Sequence, residues 1–454
     1  MKKVFFVFVL STAYCLLSTF FSCRPNLKNP EPSSGDADFS KFVALGGNFM
    51  AGYQDGALYY DGQQYSIPYL IAKFMHLAGG PAEFAQPFMP DNIGLGINPK
   101  QWESPYQHAS NLRYKLDCKG VSALKPVKEL FSSGGIYAQH QSGSFQNISV
   151  PFAKISDYNN VSGNANAYYA RFTTNIGVST MLSDAKAQQP TFFALWAGME
   201  DIYDYARNGG YNQTILSPGS FSMYLDTILS QLNTKGVIAN IPDLTSFPFY
   251  TLVPWNGLEL DAGKADSLNN LIGNPSPPYF FVGKNGFIIK DINSIYPPSM
   301  AGYRKLISGE YILLTVPLDS IKCNKMGVLI TGNPLEGGDG LPDRYVLTTT
   351  TEVSVINQAI ADYNMVIAAM AQKYNLALVD MNAYFKSVVE GIKWNGVDFN
   401  ATFVSGGFFS LDGYHPNQKG YALIANEFVK AINSKYNSTI PTVNCPECSG
   451  IKFP

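Results

Sequence analysis

Residues 43–56 read VALGGNFMAGYQDG, and the fold turns on this stretch. The apolar run from Phe42 to Leu45 has the composition of a strand covered on both faces. A small-residue turn follows at Gly46 and Gly47, and the next residues open a helix. A strand that feeds a helix through a tight turn is where many α/β folds expose a nucleophile. Here the tip carries Gly47 and Asn48, with no Ser, Thr or Cys.

Working outward, short apolar runs bounded by turn signals recur at 145–150, 191–196, 236–241 and 376–381. Amphipathic patterns predict helices at 67–78, 166–188, 220–232, 351–374 and 418–436. Strands alternating with helices imply an open parallel sheet covered on both sides. Two long segments, 79–144 and 251–345, break the alternation. The second contains YFFVGKNGFIIKD, which predicts a hairpin turning at Asn285-Gly286. Structureless loops of that length are improbable, so both segments are expected to form caps over one end of the sheet. In open α/β sheets that end, beyond the carboxyl ends of the strands, holds the ligand crevice.

The chain has 454 residues, of which 46% are hydrophobic, 14% aromatic and only 15% charged. The charged share lies well under the roughly 25% usual in soluble proteins. Part of such a surface is expected to be covered by a partner or ligand. The net charge of −2 and the absence of a basic block exclude nucleic acid as an expected partner.

The N-terminus begins MKK, continues through an apolar run, and reaches Ser22-Cys23 before the polar, Pro-rich RPNLKNPEPSSGDAD. This order resembles a lipoprotein signal over 1–22, with Cys23 as the acylated residue and 23–39 as a lipidated tether. The expected address is an outer membrane, on its periplasmic or cell-surface side. Four other cysteines remain, since Cys15 falls in the signal: Cys118, Cys323, Cys445 and Cys448. The CPEC pair at 445–448 has no His near it, so a structural disulfide or idle thiols is the expected state, not a metal or redox site.

The strongest chemical motif is SLDGYHPN at 410–417. Asp412 and His415 sit three residues apart before the last helix, a spacing that lets a carboxylate orient a histidine base. Four blocks in order, VALGGNFMAGYQDG, NISVPFA (147–153), LWAGMEDI (195–202) and SLDGYHPN, resemble the SGNH/GDSL hydrolase family, especially its exported lipoprotein branch. ANIPDLTSFPFY (239–250) and GLPDRYVLT (340–348) are similar to that branch too. The resemblance implies a flavodoxin-like three-layer α/β/α sandwich over 40–436, with a five-stranded parallel sheet, two cap insertions, and a tail at 437–454. It also implies a Ser nucleophile, Gly and Asn oxyanion donors, and a His base with Asp beside it.

Position by position, this chain departs at three of those four sites. Asn48 stands at the nucleophile, Phe152 at the Gly of the second block (with Ser149 at an earlier Gly), and Glu200 at the Asn of the third. Only His415 and Asp412 match. A carboxamide offers no hydroxyl for His415 to activate. Phe152 places a side chain where a bare backbone N–H is needed, and an ionised Glu200 opposes a developing oxyanion. The carboxylates Glu200, Asp201 and Asp412 match no metal spacing, and no cofactor is expected. The chain therefore reads as a pseudoenzyme: an inactive binding or assembly subunit whose partner is an outer-membrane β-barrel protein, or a glycan or lipid held in the old cleft. The alternative is an active esterase or acylhydrolase on acylated glycan or lipid, using a substitute nucleophile such as Ser149.

Overall fold

The computed structural model describes residues 31–96, 106–131, 139–161, 166–291, 302–323, 326–328 and 340–454. Cys23 and the signal segment lie outside the described residues. Among those described, no helix is long and apolar enough to cross a membrane.

Five strands form one sheet: β1 (Phe42–Gly46), β2 (Asn147–Ser149), β3 (Phe192–Trp196), β4 (Lys235–Ala239) and β5 (Ala377–Val379). Their order across the sheet is β5-β4-β3-β1-β2, and every pairing is parallel. Read from the other edge this is the flavodoxin-like 2-1-3-4-5 arrangement, in which the winding direction reverses between β1 and β3. Phe42 pairs with Phe192 and Leu45 with Leu195, so the turns that follow both strands open side by side. All five residues of β1 and of β3 are buried, which explains their unbroken apolar composition.

Helices cover both faces. On one, α2 (Ile67–Met75) packs against α8 (Gln418–Tyr436); on the other, α5 (Pro218–Leu232) packs against α6 (Glu352–Lys373) and α3 (Met181–Ala187). Sequence chemistry sets their starts. Ser66 caps α2 by accepting from the Tyr69 N–H, and Asn417 caps α8 by accepting from the N–H groups of Lys419 and Gly420. Residues beyond α8 stay in the core. Ile440, Val443 and Cys445 are buried, and Asn426 on α8 holds the Val443 N–H at 2.7 Å. At the other end Ala37 and Phe39 are buried in the same core. The compact unit accordingly runs from Ser33 to Pro454.

Two helical expectations need correction. The pattern at 166–188 is two short helices, Ala167–Ala170 and α3. Between them Gly177 takes a left-handed φ of 78°, and Thr180 starts α3 afresh in a capping box with Ser183. Asp184 fastens the break by accepting from the Tyr169 hydroxyl at 2.8 Å and the Thr174 N–H at 3.0 Å. Two helices that start directly after strands, α4 (Met199–Ala206) and α7 (Met381–Glu390), escaped the periodicity.

The hairpin at Asn285-Gly286 does not form. Gly283–Asn285 pairs with Leu258–Leu260, and Ile288–Lys290 pairs with Tyr303–Lys305. Asn285 spends its side chain on Phe281, accepting from the N–H at 3.1 Å and donating to the carbonyl at 2.8 Å. A Cβ on Gly286 would stand 2.1 Å from the Leu306 carbonyl oxygen, so this glycine serves close packing, not a turn.

The second insertion has its own apolar cluster, with Leu258, Phe280, Ile288, Leu306 and Leu341 buried together. The first contributes a hairpin, Asn111–Leu116 against Ser122–Val127. The two insertions are joined by a disulfide between Cys118 and Cys323, with the ion pairs Lys322–Asp117 and Lys125–Asp319 beside it. The CPEC cysteines are free thiols. Cys445 is fully buried and its thiol is pushed up to about 12, chiefly by burial.

Candidate active site

The three departures from the hydrolase pattern meet at the carboxyl ends of β1, β2 and β3. Asn48 opens α1 (Asn48–Ala51) directly after Gly47. Glu200 lies in the first turn of α4, which Gly198 starts with a left-handed φ of 93°. The Asn48 N–H donates to Glu200 Oε1 at 2.7 Å. A Cβ on Gly47 would stand 1.9 Å from the same oxygen, so only glycine lets the carboxyl lie there. Phe152 has a left-handed φ of 63°, a conformation glycine adopts freely and phenylalanine rarely. Its N–H donates to Asn48 Oδ1 at 2.8 Å.

The expectation that the Phe152 side chain displaces this N–H is therefore corrected. The backbone keeps a glycine-like course, and the ring turns toward Tyr53, 5.2 Å away between centroids, and the Arg207 guanidinium at 5.3 Å. The Asn48 carboxamide oxygen occupies the Phe152 N–H. Two N–H groups, of Asn48 and Phe152, are thus both occupied from within.

Glu200 and Asp201 are 5% and 3% exposed. Burial pushes the Glu200 carboxyl up to about 8, against the opposing bond from the Asn48 N–H. At neutral pH it is mainly a neutral acid, so the charge conflict expected from its sequence position is muted. Burial likewise raises Asp201 to about 7, although the Ile155 N–H donates to it at 3.0 Å. Asp201 thus ties α4 to the segment after β2.

His415 and Asp412 form a bonded pair. His415 Nδ1 lies 2.8 Å from Asp412 Oδ2. Backbone N–H groups of His415 and Tyr414 reach Asp412 Oδ1 at 2.8 and 2.9 Å, and that of Gly56 reaches Oδ2 at 2.8 Å. Burial alone would raise this carboxyl, but the His415 ring and those N–H groups outweigh it and hold it at about 2. The imidazole is 1% exposed and packs against Tyr53, Phe49 and Tyr203, at centroid distances of 4.9, 5.5 and 6.0 Å. Phe49 follows Asn48, and Tyr203 lies on α4 with Glu200, so these rings bring the dyad and the altered trio together.

His415 Nε2, the atom that would take a nucleophile's proton, has no hydrogen-bond partner, and neither do Asn48 Nδ2 and Ser149 Oγ. Ser149 is therefore not bonded to the histidine. Among the described residues no three His, Cys, Asp or Glu side chains are placed to hold a metal ion. Sequence reasoning passed over Asp55, inside the opening stretch. Its Oδ1 accepts from the Leu411 N–H at 2.8 Å and its Oδ2 from the Tyr59 hydroxyl at 2.6 Å, locking the first block to the last. The Gln-Asp-Gly run after Tyr53 was the available signal.

Fold and site together define a GDSL-hydrolase-like α/β domain. The family model for GDSL-like lipase/acylhydrolase matches residues 301–428, the part that holds Asp412 and His415. The match agrees with the resemblance carried by the ordered sequence blocks. No curated protein matches the chain in sequence. Similar solved structures include a protein described as a GDSL-like lipase from Parabacteroides merdae, with 10% identity, a TM-score of 0.35, and coverage of 88% of this chain and 99% of that one. Another is LAE5, an alpha/beta hydrolase enzyme from the metagenome of Lake Arreo in Spain, with 9% identity, a TM-score of 0.35, and coverage of 88% and 98%. Overlaps this weak carry no argument about the present chain.

Proposed function

We propose that this protein is a non-hydrolytic member of the family, a lipoprotein anchored through Cys23 to an outer membrane, where it serves as a binding or assembly subunit. One observation carries the reading. The Asn48 N–H and the Phe152 N–H, which would stabilise a tetrahedral oxyanion, are held by Glu200 and by the Asn48 carboxamide. An ester carbonyl would have to displace both bonds and would still find no hydroxyl at position 48. Losing one oxyanion donor typically costs about 10²–10³ in rate, and loss of the nucleophile costs more. The partner is an outer-membrane β-barrel protein, or a glycan or lipid; the low charge of the chain supports a covered surface.

Hydrolysis of p-nitrophenyl acetate and butyrate tests the inert site. No turnover above a blank protein is expected, and no labelling by a fluorophosphonate probe. Turnover abolished by His415→Ala would overturn the reading, and loss of labelling in Ser149→Ala would name the substitute nucleophile. Anchoring is tested by Cys23→Ser, expected to move the protein from the membrane to the soluble fraction. Retention after a salt wash would refute a lipid as the sole tie.

A further inference from the structure

The hairpin of the first insertion, Asn111–Leu116 against Ser122–Val127, changes character along its length. Side chains two residues apart share a face of a strand, so Leu112, Tyr114 and Leu116 lie on one side. Leu112, at the root, is 5% exposed, whereas Tyr114 and Leu116 are 71% and 68% exposed. Tyr114 pairs across the ribbon with Leu124, which extends the same face, and Val121 in the turn is exposed as well. The outer half of the hairpin thus presents an apolar strip to solvent. It is no frayed end. The Cys118–Cys323 disulfide and the ion pairs Lys322–Asp117 and Lys125–Asp319 fix its turn to the second insertion.

The charges beside the strip select what covers it. Residues 111–130 carry five Lys and Arg against two carboxylates, Asp117 and Glu129, in a chain whose net charge is −2. Both carboxylates are already paired, Asp117 with Lys322 and Glu129 with Arg113 at 2.6 Å. Lys115 and Lys119, both exposed, pair with no carboxylate among the described residues. The surface that completes this hairpin is therefore negatively charged and offers apolar depth. Protein interfaces are depleted in lysine. A bilayer surface favours it, because the stem lies along apolar neighbours while the ammonium meets lipid phosphates. Tyr and Leu side chains suit the layer between headgroups and acyl chains.

We infer that this hairpin is a membrane-contact surface, with the strip of Tyr114, Leu116 and Leu124 seated at the interface of a bilayer that carries anionic lipid. Asn48, Phe152, Glu200 and His415 take no part in it. The contact stands whether or not the cleft is catalytic, and it does not require the Cys23 anchor.

Vesicle flotation tests this with the chain from Arg24 onward, which keeps the whole compact unit but neither the acylated cysteine nor the apolar signal. It is expected to float with phosphatidylglycerol–phosphatidylethanolamine vesicles and to stay behind with phosphatidylcholine vesicles. Lys115→Gln and Lys119→Gln should each weaken binding about fivefold, one lysine's share of the attraction to an anionic surface. Leu116→Ser should weaken it about tenfold, through lost apolar burial. All three side chains are exposed, so the variants should melt with the parent chain. Flotation with neither kind of vesicle, equal flotation with both, or binding unmoved by all three substitutions would each overturn the assignment. So would a dimer in sedimentation equilibrium that Leu116→Ser dissolves, since the strip would then join two copies of this chain.

Discussion

Asp412 and Glu200 face the same site from opposite sides, both nearly buried, and they titrate in opposite directions. Asp412 is held at about 2 and Glu200 is raised to about 8. Burial pushes both upward, so burial does not separate them. What separates them is what each carboxylate receives. Asp412 takes three backbone N–H groups and an imidazole. Glu200 takes the Asn48 N–H from outside its own helix. The base side is organised around a charge, and the nucleophile side around a neutral acid that fills space. One site thus holds a charged carboxylate on one side and a neutral, space-filling one on the other.

The largest expected effect breaks this asymmetry directly. Asn48→Ser alone should stay inactive, because the Glu200 carboxyl still holds the N–H of residue 48. Adding Glu200→Asn should release that N–H and supply a side-chain donor, raising p-nitrophenyl butyrate turnover by about 10²-fold over the single variant. Phe152→Gly should add little, since the N–H of residue 152 already faces the site. Strong activity in the single variant would show that Glu200 does not block the oxyanion position.

A smaller effect compares stability. Asp412→Ala removes the acceptor of three N–H groups at once and should cost roughly 3 kcal/mol or more by chemical denaturation. Asn48→Ala leaves one N–H unpaired, that of Phe152, and should cost about 1–3 kcal/mol. The reverse order would mean that the nucleophile side, not the base side, is the structural anchor.

The smallest effect sharpens the comparison through pH. Asp412, lowered from 3.8 to about 2, lends stability that is present above pH 3.8 and lost as pH falls through about 2. Glu200, raised from 4.5 to about 8, behaves in the opposite sense. Between those values the folded state holds a proton that the unfolded chain has released, so stability falls as pH rises and levels off above about 8. Glu200→Gln should flatten the decline in melting temperature between about pH 4.5 and 8, leaving the parts due to Asp201, raised from 3.8 to about 7, and Asp55, raised from 3.8 to about 6. An unchanged slope over that range would place the decline elsewhere.

The sheet was legible in sequence because its strands are buried on both faces and so carry unbroken apolar runs; FVALG and TFFALW each fall within a residue of the observed strand. Helices that begin directly after a strand, such as α4, left no separate period to read. The NG pair at 285–286 misled because local turn chemistry yielded to packing beneath Leu306. At the site, residue identities were readable but directions were not. That the Phe152 ring turns away while its N–H stays follows from a left-handed backbone, which a one-letter code does not display.

The bond between Cys118 and Cys323 has a topological consequence. The covalent ring it closes spans a separation of 205 residues and contains β2, β3 and β4. β1 lies outside that ring, yet it is sandwiched in the sheet between two of its members, β2 and β3. The strand that leads into Asn48 is thus an arm laid into a loop closed elsewhere. If oxidation comes first, this arm must enter a slot whose sides are already joined; if it comes last, the bond seals the arm in place.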